Sequence, residues 1–298
     1  MNIGERIREL RISKLMTQAD LAGDRITRNM LSCIENGSAN PSLSTIVYIA
    51  GRLGVPAGFL LADQGDEMAY RKMSNLSNIK KAYTTGDVQG CRSLCLSGCP
   101  EPDDEISLLL ANCDMGIAVE EFWSGKLRSS CRFFDEALSY AEKTIYSTDA
   151  IEAEIRVYFR FMERISHTLY SDFLDEEKPL SVKSNSIISQ YLDALDALDN
   201  DDISVAEQFF KEAFTDASNS FFTAHLQSKL LIISKNYKQA QKALQQLLHD
   251  SETPLNKIEL YIVLEDLEIS CRENEDYKNA YRYASEKVEL LEQLLQEY

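Results

Sequence analysis

The sequence predicts an all-α protein in two parts, a head of five short helices followed by an array of helical hairpins. Three observations predict it. In 298 residues there are only 12 Gly and 6 Pro, too few for turn-rich sheet. From residue 66 onward no alternating stretch is long enough for a strand, and apolar residues recur at helical spacing instead. In the same region one sub-pattern returns at near-constant intervals, the mark of stacked repeats.

The head is punctuated by caps. Ile3, Ile7 and Leu10 recur at helical spacing through NIGERIRELRISK and predict a first helix with polar residues on its other face. Thr17-Gln18-Ala19-Asp20 has the form of a capping box, so a second helix starts at Thr17, carries Leu21 and Ala22 inward and is broken by Gly23-Asp24. Thr27 caps a third helix, with Leu31 and Ile34 toward the core and Arg28, Asn29, Ser32 and Cys33 outward. Asn36-Gly37 ends it. Ser42 caps a fourth, whose stripe is Ile46, Ile49, Ala50 and Leu53, and Gly54-Val55-Pro56 separates it from a brief fifth around Phe59-Leu60-Leu61. Five short helices, the second and third joined by a tight turn, make a helix-turn-helix pattern.

Charge divides the chain at the same place. The formal net charge is −17, yet residues 1–62 hold seven Lys and Arg against five Asp and Glu, a net of +2, which leaves −19 for the remainder. An acidic bulk repels a polyanion wherever it lies close to one, so the mildly basic head is the part suited to DNA. The sequence divides as 1–65, the head; 66–85, a linker helix; and 86–298, the repeats.

IGERIRELRISKLMTQADLA, followed by MLSCIENGSANPSLSTIVYIAGRLGVP, resembles the lambda-repressor-like, or XRE, family of DNA-binding domains along nearly its whole length. A helix fits the major groove, where Arg donates in bidentate fashion to guanine and Asn pairs with adenine, so Arg28 and Asn29 on the exposed first turn are the leading base readers. The resemblance implies phosphate contacts at Gln18 and Asn36, places Ser32 and Cys33 along the groove, and brings in Thr27 with the helix it caps. Arg11 is a further phosphate candidate, since such contacts position without specifying. Each of these is otherwise a solvated surface residue. Between Ala22 and Thr27 stand four residues, one fewer than the common pattern of the family, and the peptide-sensing branch of the family has a similarly compact turn.

The repeat pattern is a short polar turn, an apolar residue, then small or apolar residues three, seven and ten places later. It fits Val88, Cys91, Cys95, Gly98; Leu127, Ser130, Phe134, Ala137; Ile203, Ala206, Phe210, Ala213; Tyr237, Ala240, Leu244, Leu247; and, in part, Tyr277, Ala280, Ala284. The spacings are 39, 76, 34 and 40, the second leaving room for a degenerate unit that begins with a long helix over 148–170 and contains SDFLDEEKPLS, where Pro179 forbids a continuous helix. The pattern resembles tetratricopeptide-like (TPR) repeats, and five to six such hairpins stack into an α-solenoid whose concave face suits a peptide or a partner's helix.

A short XRE head fused to such an array resembles the RRNPP peptide-sensing transcription factors, which include Rgg-like and PlcR-like proteins. That order of parts implies a cytoplasmic homodimer that binds a palindrome-like DNA operator and senses a signalling peptide, with DEMAYRKMSNLSNIKKAY as the coupling element. The rival reading is a protein-interaction scaffold whose repeats bind a partner protein. Arg156, Arg160 and Arg164 share one helix face, which suggests either an anionic ligand or pairing with Glu152 and acids of adjacent helices. Asn112 and Asn185, assigned to inner helices, are candidates to hydrogen-bond a peptide backbone. Cys91, Cys95 and Cys99 repeat every four residues, as metal or redox thiols would, but Cys91 and Cys95 fall on close-packing positions where free Cys acts as a small apolar residue.

Other classes find no support in the sequence. His167, His225 and His249 are scattered, and there is no Gly-rich phosphate loop, His-Glu-x-x-His or nucleophile elbow, so no enzyme, metal or cofactor is expected. No h-region follows Met1 and no stretch is apolar enough to span a bilayer, so neither export nor membrane contact is expected. Seven cysteines, an odd number, argue for thiols over a disulfide framework.

Overall fold

The computed structural model describes residues 2–62, 64–99, 101–171, 174, 182–200, 202–213, 220–249 and 254–296. Among them are sixteen α-helices and no strand. No helix among the described residues is long and apolar enough to cross a membrane. The chain forms two compact units, residues 1–85 with 94–101, and residues 86–93 with 102–298.

The first unit begins with α1 (Ile3–Ser13), α2 (Gln18–Ala22), α3 (Arg28–Glu35), α4 (Leu43–Leu53) and α5 (Ala57–Leu61), the five elements expected. Their starts are fixed by side-chain acceptors. Thr17 and Asp20 form both halves of a capping box, Thr27 accepts from the Met30 N–H at 3.1 Å, and Ser42 accepts from the Thr45 N–H. Asn2 and Glu5 add a second capping box. Such a cap contributes about 0.5–2 kcal/mol, a large share of the stability of helices this short. The core is Ile7, Leu21, Leu31, Ile34, Ile46, Ile49, Leu53 and Leu60, all buried, with Ile3 and Leu10 packed at its edge. Gly4 lets α1 approach α3 closely, since a methyl group there would collide with the Ile34 carbonyl oxygen. Arg6, which the periodicity puts on the polar face, is instead buried and donates to the carbonyls of Phe59 (3.1 Å) and Ala62 (2.5 Å), closing the open end of α5. The unit also holds α6 (Gln64–Thr84), which covers the expected linker.

Helix α7 (Val88–Gly98) is divided between the units, Val88–Ser93 going with the second. In that unit four two-helix units pack as hairpins: α8 (Asp104–Trp123) with α9 (Leu127–Ala141), α11 (Ile187–Asp199) with α12 (Ile203–Ala213), α13 (Ser220–Ile233) with α14 (Tyr237–His249), and α15 (Lys257–Glu273) with α16 (Tyr277–Leu294). The long helix of the degenerate repeat, α10 (Asp149–Ile165), ends five residues before the expected Tyr170 and has no second helix among the described residues. Pro179 and most of SDFLDEEKPLS lie outside them. Most repeat positions behave as small or apolar packing sites should: Leu127, Ser130, Phe134, Ala137, Ala206, Ala240 and Leu244 are buried, whereas Ile203 and Tyr277, each the first position of its unit, are exposed, and the side chains of Phe210 and Ala213 are not among those described. Cys91, Cys95 and Cys99 are buried too, as packing residues would be.

The expected curved stack of hairpins is present in the second unit, and it curls until its ends meet. Its first helices contact one another in a ring, α8 on α10, α10 on α11, α11 on α13, α13 on α15, and α15 back on α8. The closure is fastened by Arg128, whose Nε donates to the Leu295 carbonyl at 2.8 Å, and by Gly125, where an added Cβ would press on Lys257 and Leu294. Aromatic rings fill the centre. Phe122 meets Phe161 at 5.3 Å, Phe161 meets Tyr191 at 6.1 Å, and Tyr191 meets Phe222 at 4.7 Å, in tilted arrangements that ring quadrupoles favour over face-to-face stacking. The ring closes because its inner stripe is aromatic, and open water along it would expose all of that surface.

Candidate nucleic-acid interface

Helix α3 presents a continuous polar arc. Arg28, Asn29, Cys33 and Asn36 are exposed and Ser32 is half-buried, while Leu31, Ile34 and Glu35 face inward. At 100° per residue the five outer positions fall within less than half a turn of the helix circumference. Arg28 makes no ion pair among the described residues, so its guanidinium is available to an outside acceptor. Thr27 spends its oxygen lone pair on the α3 cap, and Asn36 closes the other end with its backbone N–H. The N-terminal end of the helix, with its positive partial charge, thus carries Arg28 and Asn29 in front.

The residues behind the arc are held by one buried carboxylate that the sequence reading passed over. Glu35 is 3% exposed and accepts from Arg11 at 2.7 Å and 3.0 Å and from Gln18 at 2.9 Å. Burial alone would raise its pKa, but the bonds from Arg11 and Gln18 and the charges of Arg11 and Arg8 more than offset this and hold it below the usual range. Arg11 also donates to the Met16 carbonyl at 2.9 Å. Arg11 and Gln18, expected at phosphates, therefore have inward partners that fasten α1 and α2 to the end of α3. From α4, Tyr48 donates to the Ala22 carbonyl at 3.0 Å and Arg52 to that of Asp20, pinning the compact turn. Gly23 sits at φ +59 in that turn, against Tyr48 and Arg52, where a side chain would be strained and crowded.

The ligand candidates in the second unit are dispersed. Arg156 pairs with Glu152 at 2.8 Å, Arg160 with Asp193 (2.7 Å) and Asp196, and Arg164 with Asp196 (2.5 Å) and Asp199 (2.6 Å). Of the two readings of this arginine ladder, the acids of Glu152 and the adjacent α11 are the partners present. Asn112 donates to its own helix, at the Leu108 carbonyl. Asn185 is a correction: it is exposed and precedes α11, because Ser186 caps that helix one residue later.

The periodicity did not single out the polar group at the centre of the ring. Tyr191, His225 and Asp266 are all but fully buried. The Tyr191 hydroxyl lies 2.9 Å from His225 Nδ1, and His225 Nε2 stands 3.2 Å from Asp266 Oδ2 without the alignment of a hydrogen bond. Lys229 donates to Asp266 Oδ1 at 2.8 Å. Burial raises the Asp266 pKa, but His225 and Lys229 override it and hold the carboxyl low. A cavity of about 30 Å³ adjoins these groups and Arg164, the size of a single water molecule.

Residues 7–60 match the helix-turn-helix family, and the head is a helix-turn-helix domain. Over 116 residues, 37% of this chain and 81% of the relative, the sequence is 28% identical to the immunity repressor protein of Bacillus phage phi105. Among solved structures it is similar to Bacillus thuringiensis PlcR in complex with the peptide PapR7 and DNA, at 14% identity and a TM-score of 0.28, covering 98% of this chain and 96% of that one. It is similar also to the Streptococcus dysgalactiae SHP pheromone receptor Rgg2, at 16% identity and a TM-score of 0.20, covering 97% of this chain and 99% of that one.

Proposed function

We infer that this chain is a DNA-binding transcriptional regulator whose helix-turn-helix head reads an operator and whose acidic helical unit senses a small ligand, a signalling peptide, and dimerises. The observation that carries the first half is the exposed arc of α3, with Arg28 and Asn29 on its leading turn, in a domain that matches the helix-turn-helix family. Arg28 and Asn29 read bases; Thr27, Ser32, Cys33 and Asn36 lie along the backbone and groove. Arg11 and Gln18 act chiefly through Glu35, setting the angle of α3, with their remaining N–H groups toward phosphate. A head of net charge +2 has modest non-specific affinity, so tight binding takes two heads on a palindrome-like site and weakens steeply with salt.

The ligand-sensing half rests on the order of parts, an XRE head before TPR-like repeats. The cavity of about 30 Å³ at the ring's centre admits no peptide, so a ligand that entered there would part the inner helices, while larger grooves of about 490 and 300 Å³, the second lined by Arg156 and Arg160, stand elsewhere on the unit. A ligand shifts an opening equilibrium only by its difference in affinity for the two states, and the surface released from the aromatic centre sets how large that difference must be. Gel shifts with the gene's own upstream DNA test the first half: a specific complex, lost on Arg28→Ala with Asn29→Ala, is the expected result. A protein-scaffold role predicts no such complex. For the second half, a pool of short peptides should raise the melting temperature of the full chain.

A further inference from the structure

Helix α16 carries two apolar stripes, of which the fold uses one. Ala280, Tyr283, Leu290 and Leu294 are buried against the rest of the unit. A second stripe runs Tyr277, Tyr281, Ala284, Val288, with successive gaps of four, three and four residues, the spacing of helices that pair along a seam. Tyr277 is 66% exposed, Tyr281 76% and Val288 53%. Tyr277 and Ala284 are repeat positions; the position of Tyr277 is covered at Leu127 and exposed at Ile203 and here. Single exposed apolar residues need no explanation; a row of them on one helix face marks a contact surface.

The charges beside the stripe say what covers it. Lys278 and Arg282, both exposed, flank its first half, Arg282 lying over the Tyr283 ring and 3.8 Å from Glu286, and exposed Glu289 and Glu292 flank its second half on the same side. Lys287, the one basic residue of the second half, is turned away to Glu268 at 2.6 Å. A helix that is positive at one end and negative at the other along one edge is complementary to its own reversed copy. Placed antiparallel about a two-fold axis near Ser285, Lys278 meets Glu292 and Arg282 meets Glu289 of the second copy, while small Ala284 and Ser285 permit close approach at the crossing.

We propose that α16 is the dimerisation face of this chain, occupied by the same helix of a second copy running antiparallel. This deepens the dimeric reading above and needs no operator binding to be tested. The test is sedimentation analysis of the full chain at micromolar concentration. The wild type should be a dimer, and Tyr281→Glu with Val288→Glu should weaken it by more than about tenfold with helical circular dichroism unchanged. Lys278→Glu with Arg282→Glu should also weaken it, and adding Glu289→Lys with Glu292→Lys to the same chain should restore it, a rescue that misfolding cannot imitate. Ser285→Cys should give a covalent dimer on mild oxidation. A wild type that stays monomeric, or a charge-swapped chain that is not rescued, overturns the proposal. A dimer that persists in the Tyr281→Glu, Val288→Glu chain overturns it too, while leaving a dimer on DNA intact through some other face.

Discussion

Each unit is organised around a buried carboxylate, and the two are used differently. Glu35 stands at the edge of the head's core and accepts three bonds from two helices, so its charge is fully answered and α3 is held rigidly with its far side open to solvent. Asp266 stands at the centre of the second unit's ring, paired with Lys229 but poorly aligned with His225, beside a water-sized cavity. A fully satisfied network rigidifies, and a buried polar group left unpaired costs stability. The contrast sets a fully answered carboxylate behind α3 against a partly answered one at the ring's centre.

The largest effect should come from breaking the ring's centre. Asp266→Ala leaves buried His225 and half-buried Lys229 without their anion and should destabilise the second unit by about 3–5 kcal/mol, read by urea unfolding. If that unit unfolds as before, the polar centre is not what closes the ring. Glu35→Ala follows, at about 1.5–3 kcal/mol for the loss of charge-assisted bonds, and should reduce DNA binding along with head stability because α3 loses its stop. Gly4→Ala, which drives a methyl into the Ile34 carbonyl, should cost about 1–3 kcal/mol in the head alone. The smallest stability effect belongs to Arg28→Ala and Asn29→Ala, within about 0.5 kcal/mol, although each removes about 1–3 kcal/mol of base discrimination.

A third buried carboxylate sharpens the comparison through pH. Asp114, on α8, is pushed up to about 6 by burial and by the charge of Glu136, which its bridge to Arg92 only partly offsets. The native state therefore holds this proton through a range in which the unfolded chain has lost it, and the Asp114 contribution to stability falls as pH rises from about 4 to about 6. Glu35 and Asp266 are lowered, so their contributions are present at neutral pH and are lost as pH falls through the acid range. Asp114→Asn should abolish the first trend and leave the second; an unchanged profile between pH 4 and 6 would remove Asp114 from the account.

Much of the head was legible because its signals are local. The Thr17–Asp20 box, the Thr27 and Ser42 caps and the spacing of Leu31 and Ile34 act within one or two turns, and all appear where the pattern puts them. Glu35 was not legible, since a glutamate at a helix end looks solvated until α1 brings Arg11 to it. Arg6 is hidden for the same reason: its acceptors lie in α5. In the second unit the hairpins could be read from their period, but closure could not. It depends on α15 meeting α8 and on an aromatic stripe whose members are far apart in sequence. Asn185 lies two residues ahead of Ile187, because the cap is Ser186 and not Asn185.

The central claim, a head that reads DNA through the first turn of α3, is tested most directly by selecting sites from a random duplex pool with the purified full chain. A two-fold symmetric site should be enriched, its halves about one helical turn or a multiple of it apart, and the same selection should fail for the Arg28→Ala, Asn29→Ala chain. Recovery of no common sequence, or of the same sequence by both proteins, would contradict it.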